Sequence, residues 1–433
     1  MKGKNQTPEI KSKWRSIFYP IWLGQAASLI GSRLVGFALI WFLTQKTGSA
    51  IILSTLSLVG LLPELILAPF TGALVDRWNR KAIIIIADAS IAAVTAVIAL
   101  LFTLGVEQIW HIYVLMFIRA VCGAFHYPAM SASIAAIVPA ENATKVQGLI
   151  SLQNSILGII AAPLGALALE FLSLSNVLMI DVATAIIAII PLVLIALPQP
   201  KVVTTKEQKA NPMRTMMKDV KDGFQYLLNW KGAFHTLILA TLVNMLLSPA
   251  FSLMPLLINN EFQGTAAKLA TVQTSIGIGM LASSFILSIS GGFQKKILTS
   301  ACGLLMMALG VIAIAVAPVS NFWILVAGAG LYGFSNPATN APLSAIMMKV
   351  IDENMQGRVW ALAGMMSSAA SPIGLAIAGP VSQYLGVQTW FLFGGIFCLV
   401  SSLFLRFNKH IWNLEESKSQ KPNHPQPIPQ QTM

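Results

Sequence analysis

The chain returns repeatedly to apolar runs as long as a helix needs to cross a lipid bilayer. A helix rises 1.5 Å per residue, so roughly 20 apolar residues span a hydrocarbon core of about 30 Å. Twelve such runs can be read, at 17–44, 50–75, 82–104, 109–137, 146–169, 174–197, 233–257, 268–290, 297–318, 322–347, 359–384 and 388–407. They lack the two-residue alternation of a barrel strand, and several far exceed the ~10 residues that such a strand needs. The pattern predicts an all-α membrane protein with twelve transmembrane helices. Composition agrees: 56% of the 433 residues are hydrophobic and 10% are charged, against about 25% charged in an ordinary soluble domain. A globule in water cannot hide that much apolar surface. Soluble enzymes, nucleic-acid binders and disordered chains are excluded on this ground.

The net charge of +12 is a matter of placement. If the N-terminus is cytoplasmic, the inner segments hold 24 of the 28 Lys and Arg residues. The N-terminal tail has five, loop 2–3 three, loop 4–5 one and the central loop seven. Loops 8–9 and 10–11 have two each, and the C-terminal tail four. The outer loops hold only Lys46 and Lys268, while Arg33 and Arg119 fall inside spans. This asymmetry predicts both termini in the cytoplasm and basic loops facing anionic inner-leaflet lipid, not a nucleic-acid partner. The expected layout is an N-tail (1–16), a first six-helix half (17–197), a linker (198–232), a second half (233–407) and a disordered tail (408–433). In the linker, Met213, Met217, Val220, Phe224 and Leu228 recur at helical spacing, which predicts an amphipathic helix on the inner membrane surface.

The halves are related. An offset of 209 carries Phe125 onto Phe334, Pro128 onto Pro337, Gln147 and Gly148 onto Gln356 and Gly357, and Pro163 and Gly165 onto Pro372 and Gly374. Chance matches among alanines and isoleucines are cheap, but Pro, Gln and Gly at one common offset are not. Two halves of six helices run in the same direction, as in transporters built from parallel repeats.

Loop 2–3 reads Gly72-Ala-Leu-Val-Asp76-Arg77-Trp-Asn-Arg80-Lys81. It resembles the G-x-L-x-D-R-x-G-R-K loop of the major facilitator superfamily. The resemblance implies a latch on the inner face, in which Gly72 permits close helix contact and Asp76 accepts from the basic cluster or from a helix N-terminus. Asn79 stands where the family has Gly, and is expected to take the left-handed backbone in its place. Further stretches resemble the macrolide-efflux branch. They are Gly24-Gln25-Ala26, Lys46-Thr47-Gly48-Ser49-Ala50, Leu62-Pro63, Phe117-Ile118-Arg119, Ala124-Phe125-His126 with Pro128-Ala129, Pro372-Ile373-Gly374 and Trp390-Phe391. Gly158 with Pro163 and Gly165 resembles a degenerate form of the family's G-x-x-x-G-P antiporter motif, which implies close packing and a kink against a helix of the other half.

A charge at mid-membrane costs ~2.5 kcal/mol or more, so it must be paired or line a wet cavity. Arg33 and Glu64 lie near the middle of spans 1 and 2 and are expected to meet. Such a pair either fixes helix register or, if a conformational change breaks it, lets Glu64 take up a proton. Arg119 resembles the family's span-4 arginine, tied there to proton transfer, and Asp181 lies in span 6. These four are the candidates for proton coupling. Asp88, near the inner end of span 3, is expected beside the latch loop. Gln25, Gln153, Asn154, Asn244, Asn336 and Asn340 are candidates to line a substrate cavity, and Asn244, Pro249 and Pro255 to break up span 7.

No catalytic cluster, metal site or cofactor motif is expected. Cys122, Cys302 and Cys398 lack ligand spacing and read as small apolar residues, and no phosphate-binding loop points to ATP. The resemblance implies a monomeric exporter of bulky amphipathic compounds in exchange for protons. The alternatives are a transporter of a natural metabolite such as a siderophore, or a membrane sensor that transports nothing.

Overall fold

The computed structural model describes residues 14–199, 221–228 and 230–415. The first half consists of α1 (Trp14–Thr47), α2 (Ala50–Val75), α3 (Arg80–Thr103), α4 (Ile109–Ile137), α5 (Ala143–Phe171) and α6 (Leu174–Leu194). The second consists of α7 (Lys231–Ser252), the short α8 (Met254–Glu261), α9 (Ala266–Ser290), α10 (Lys296–Val316), α11 (Phe322–Val350), α12 (Glu353–Leu385) and α13 (Val387–Phe407), followed by a single turn, α14 (Lys409–Trp412). Each expected span is a helix, with α7 and α8 together forming span 7. The break in that span falls at Leu253, with Pro255 in the first turn of α8. There its missing N–H costs nothing. Asn244 and Pro249 lie inside α7 without breaking it.

Eleven of the described helices are long and apolar enough to cross a bilayer. The long helix outside that set is α11, whose middle carries Ser335, Asn336, Thr339 and Asn340. It packs by shape. Gly310 of α10 and Gly328 of α11 face each other so closely that a Cβ on either would meet the other's carbonyl oxygen at 2.7 Å. Small residues that let backbones approach are how helices associate where lipid removes the hydrophobic driving force.

Both halves use one packing plan. In the first, α1 packs on α6 and α5, α3 on α6 and α4, and α2 on α4. In the second, α7 packs on α13 and α12, α10 on α13 and α11, and α9 on α11. The two sets correspond helix for helix. Across the halves, α2 meets α12 and α5 meets α9.

The halves join at one end only. The largest apolar cluster draws Phe37, Leu39, Leu53 and Leu56 from the first half and Leu247, Leu253, Leu256 and Leu257 from the second. These positions lie toward the end that carries the α1–α2 turn. There Gln383 of α12 crosses over: its Oε1 accepts from the N–H of Ala50 at 2.9 Å and from Ser49 Oγ at 3.0 Å, satisfying donors at the first turn of α2. At the opposite end, near the Asp76–Lys81 loop, a separate cluster of Trp14, Phe18, Ile21, Val75, Ile84, Ile137 and Leu197 belongs to the first half alone. The molecule is closed at the first end and parted at the second.

The linker stretch 221–228 is helical. Leu227 is buried in the large cluster while Phe224 and Leu228 are exposed. Asp222 pairs with Arg358 of α12 at 3.3 Å, and Tyr226 Oη donates to Asp352. This stretch therefore docks on the second half through Leu227, not through the expected stripe. Met213, Met217, Val220 and the expected disordered tail beyond residue 415 lie outside the described residues.

Candidate functional site

Four polar groups converge in the first half. Gly31 on α1 lets α6 approach so closely that a Cβ there would collide with Thr184 and with Asp181 Cα. This brings Asp181, 1% exposed, into the bundle. Its Oδ2 accepts from Arg119 Nη1 of α4 at 2.6 Å and from Thr95 Oγ1 of α3 at 3.4 Å, and its Oδ1 accepts from Ser32 Oγ of α1 at 3.0 Å. Arg119 Nη2 also donates to the Ser32 carbonyl at 3.4 Å. Every buried charge here is matched, as a low-dielectric site requires. Ser32 and Thr95 escaped the sequence reading, because hydroxyls in apolar helices carry no spacing signal.

Arg33 and Glu64 do not meet; both are exposed. The reason is the packing plan: α1 leans on α5 and α6, and α2 on α4 and α12. Each residue instead continues a stripe that faces a cavity. Arg33 sits one turn from Leu29 and from Phe37, and Glu64 sits two turns from Ser57. Leu29 lines the large cavity of the first half, and Phe37 and Ser57 line a void of about 110 Å³ between the halves.

The latch loop binds only its own half. Asp76 Oδ1 accepts from Arg80 Nη2 at 3.1 Å, so the carboxylate uses the basic cluster, and Arg80 Nη1 reaches the Ala132 carbonyl of α4 at 3.3 Å. Lys81 Nζ donates to the Val193 and Ile195 carbonyls at 2.8 and 3.1 Å. These are end groups of α6, left without helical partners. Asn79 is not left-handed: at φ −68°, ψ 106° it caps α3 by accepting from the Ala82 N–H at 3.1 Å. An Asn oxygen gains more as a cap than a strained backbone would give. No heavy atom lies within 4 Å of a Cβ built on Gly72 or on Gly158, so neither makes the expected close contact. Gly165 is close to Phe37 of α1, in its own half, and the approach of α5 to α9 is made by Gly277 against Ile159. Gly374, its partner in the repeat, is close to Met245 and Pro249 of α7. Pro163 and Pro372 lie inside unbroken helices. Arg77 is exposed. Asp88 does not join the loop; it is buried and bound by Gln25 Nε2 at 2.9 Å.

Two large cavities open in the bundle. The first, about 550 Å³, is lined by α1, α4 and α5 toward the parted end, with Phe18, Trp22, Gln25, His126, Gln153 and Asn154 among its walls. The second, about 460 Å³, is lined by Asn244, Ser248, Phe251, Tyr332, Asn336 and Asn340 of α7 and α11. All six polar cavity candidates thus line one or the other. The repeat relates the two walls: Tyr127, Met130, Ser131 and Ile134 line the first, and Asn336, Thr339, Asn340 and Leu343, each 209 residues on, line the second. In the second, Phe251 and Tyr332 stack at 3.9 Å. Among the described residues, no group of three His, Cys, Asp or Glu side chains is placed to hold a metal.

This arrangement is that of a two-halved transporter, and comparison with known proteins agrees. The sequence profile of the Major Facilitator Superfamily matches residues 21–299 and 236–430. Macrolide efflux protein A of Streptococcus pyogenes is 34% identical over 390 residues, covering 90% of this chain and 95% of that protein. Macrolide efflux protein A of Enterococcus faecalis is 32% identical over 328 residues, 76% of this chain and 100% of that one. Among solved structures, a point mutant of the nucleoside transporter NupG superposes with a TM-score of 0.67 at 17% identity, covering 92% of this chain and 100% of that one. The chain belongs to the Major Facilitator Superfamily. It is a multi-pass membrane transporter of small molecules and not an enzyme.

Proposed function

We propose that this protein exports bulky amphipathic compounds of the macrolide kind in exchange for protons, by alternating access. The observation that carries this reading is the one-ended closure: an apolar plug and Gln383 join the halves at one end, while the other end is parted beside two large, mostly apolar cavities. Rocking the halves about the plug would expose the same cavities to the opposite side. The clustering of basic residues supports a cytoplasmic position for the parted end and for both termini. In this state the latch loop engages only its own half, as it would when its partner surface has swung away. The relatives named macrolide efflux proteins support the substrate class.

Export against a gradient needs an energy input. A carboxylate that loses its partners in a low-dielectric bundle takes up a proton. Asp181 with Arg119, and Glu64 with Arg33 on the exposed stripes, are the groups through which helix movement would be linked to protonation. The test is a growth-inhibition panel of macrolides, dyes and tetracyclines with and without the gene, paired with energised inverted vesicles carrying a pH-sensitive dye. Resistance with lower cell content of the compound, and collapse of the pH gradient on its addition, are expected. Higher cell content would indicate import of a metabolite instead. Absence of any flux in proteoliposomes, with binding retained, would leave only a sensor.

A further inference from the structure

A second ionic cluster lies in the first half and has no part in the arrangement around Asp181. Asp88 of α3 is 6% exposed, and two residues cover it. Gln25 of α1 donates Nε2–H to Asp88 Oδ2 at 2.9 Å, and His126 of α4 places Nε2 at 3.3 Å from Oδ1. His126 Nε2 is buried and outside hydrogen-bonding geometry with any other described group. Two bare acceptors facing each other at that distance repel, so the pair requires a proton between them. Gln25 and His126 both line the 550 Å³ cavity, and Asp88 sits behind them. The imidazole is 21% exposed. With Nε2 buried, its exposed edge is the opposite one, toward the cavity.

The charged surroundings favour an imidazolium. On α4 itself the titratable neighbours are Arg119, two turns away and already matched by Asp181, and Cys122. From α3 comes Asp88. From α1 comes Gln25, which is uncharged. From α2 the nearest charge along the shared face is Asp76, at the loop end and held by Arg80. From α5, across the cavity, come Gln147, Gln153 and Asn154, all neutral. Among the described residues, the unmatched charge at the ring is therefore a carboxylate.

We propose that His126, backed by Asp88 and Gln25, is a proton-binding site of the transport cycle, exchanging its proton with water in the cavity. It is the station on the cavity side of the bundle, and Arg119–Asp181 lies about 10 Å deeper along α4, seven residues on at 1.5 Å per residue. The cycle would protonate the cavity-facing nitrogen, draw the imidazolium onto Asp88, and return the proton when Gln25 and α1 shift. Histidine suits this task because its charge changes in the physiological range.

The inference rests on the proton-exchange reading, and the experiment separates the two. The full chain is reconstituted in liposomes, and radiolabelled erythromycin is followed in two modes: uptake driven by an imposed pH gradient, and counterflow with no gradient. Wild type is expected to show both. His126→Gln, which keeps a polar group against Asp88, is expected to lose gradient-driven uptake and keep counterflow. Asp88→Asn is expected to shift the pH profile of gradient-driven uptake to lower pH, since the imidazolium loses its counter-charge. Unaltered gradient-driven uptake and an unaltered pH profile in both variants would overturn the site. A wild type whose uptake ignores the pH gradient would overturn proton exchange itself, and the site with it. If His126→Gln fails to give folded protein, the Asp88→Asn profile decides.

Discussion

Replacing Asp181 with Asn keeps the volume of the side chain and removes its charge, which leaves Arg119 as an uncompensated cation inside the bundle. Breaking a buried pair from one side costs about 3–5 kcal/mol. The structure argues for the lower part of that range. Arg119 is 14% exposed against 1% for Asp181, so it keeps some access to water, and its bond to the Ser32 carbonyl at 3.4 Å survives the change. The double variant Arg119→Gln/Asp181→Asn removes both charges and allows a neutral amide pair, so its cost falls to ~1 kcal/mol, near that of one ordinary hydrogen bond. The coupling between the positions is then about 2 kcal/mol, well above the 0.2–1 kcal/mol of an exposed pair. Thermal midpoints of the purified protein in one detergent, for wild type, both singles and the double, measure this cycle. The reasoning fails if Asp181→Asn melts with wild type, or if the double variant melts no higher than the worse single.

Gln383→Ala removes both hydrogen bonds that cross the halves at the closed end. It should shift the population toward the state open at that end, read as faster labelling of a cysteine placed at Ser57 and slower labelling of one at Gln153. A disulfide between cysteines at Ser49 and Gln383 should abolish transport until reduced. Glu107 is held below the usual carboxylate value of 4.5 chiefly by the hydrogen bond from Lys46, at 3.0 Å, which ties the α3–α4 loop to the end of α1. A depressed carboxylate value stabilises the fold above its unfolded value and loses that contribution as pH falls through the folded one. The gap in melting temperature between wild type and Lys46→Met should therefore be present at pH 7 and vanish below pH 4.5, and it should be small, because the contact is solvent-exposed. A gap that persists at low pH would show that Lys46 acts by packing on Phe42, over which it lies at 5.1 Å.

The twelve spans were legible in the sequence because the bilayer imposes length and hydropathy on each helix separately. The repeat was legible because Pro, Gln and Gly resist substitution by chance in apolar helices. What depends on which helix touches which was not legible. Depth along a helix follows from residue number, and azimuth follows only from packing. Arg33 stands 14 residues before the end of α1 at Thr47, and Glu64 stands 14 residues after the start of α2 at Ala50. Both are thus about 21 Å from the same end at 1.5 Å per residue. The expectation of equal depth was sound, and the pairing drawn from it was not, since α5, α6 and α12 occupy the flanks through which the two residues would have met. His126 failed the opposite way. It was visible as a letter in a branch motif, yet nothing in the spacing of one helix reveals that α3 brings Asp88 to its face.

The same distinction governs how the molecule would move. Groups matched inside one half, such as Asp181 with Arg119, travel together when that half rotates and keep their partners. Groups on the stripes that face the gap change surroundings in every cycle. Arg33 and Glu64 lie at one depth, lack a common partner, and flank a void of about 110 Å³ that the closed end keeps small. A rotation that opens this end enlarges that void and wets both charges, whereas the present state leaves them beside an apolar plug. The cost of a charge near hydrocarbon therefore falls on one state more than on the other. Protonation of Glu64 would relieve it in the closed state alone, which is the differential interaction any ligand needs in order to shift a conformational equilibrium.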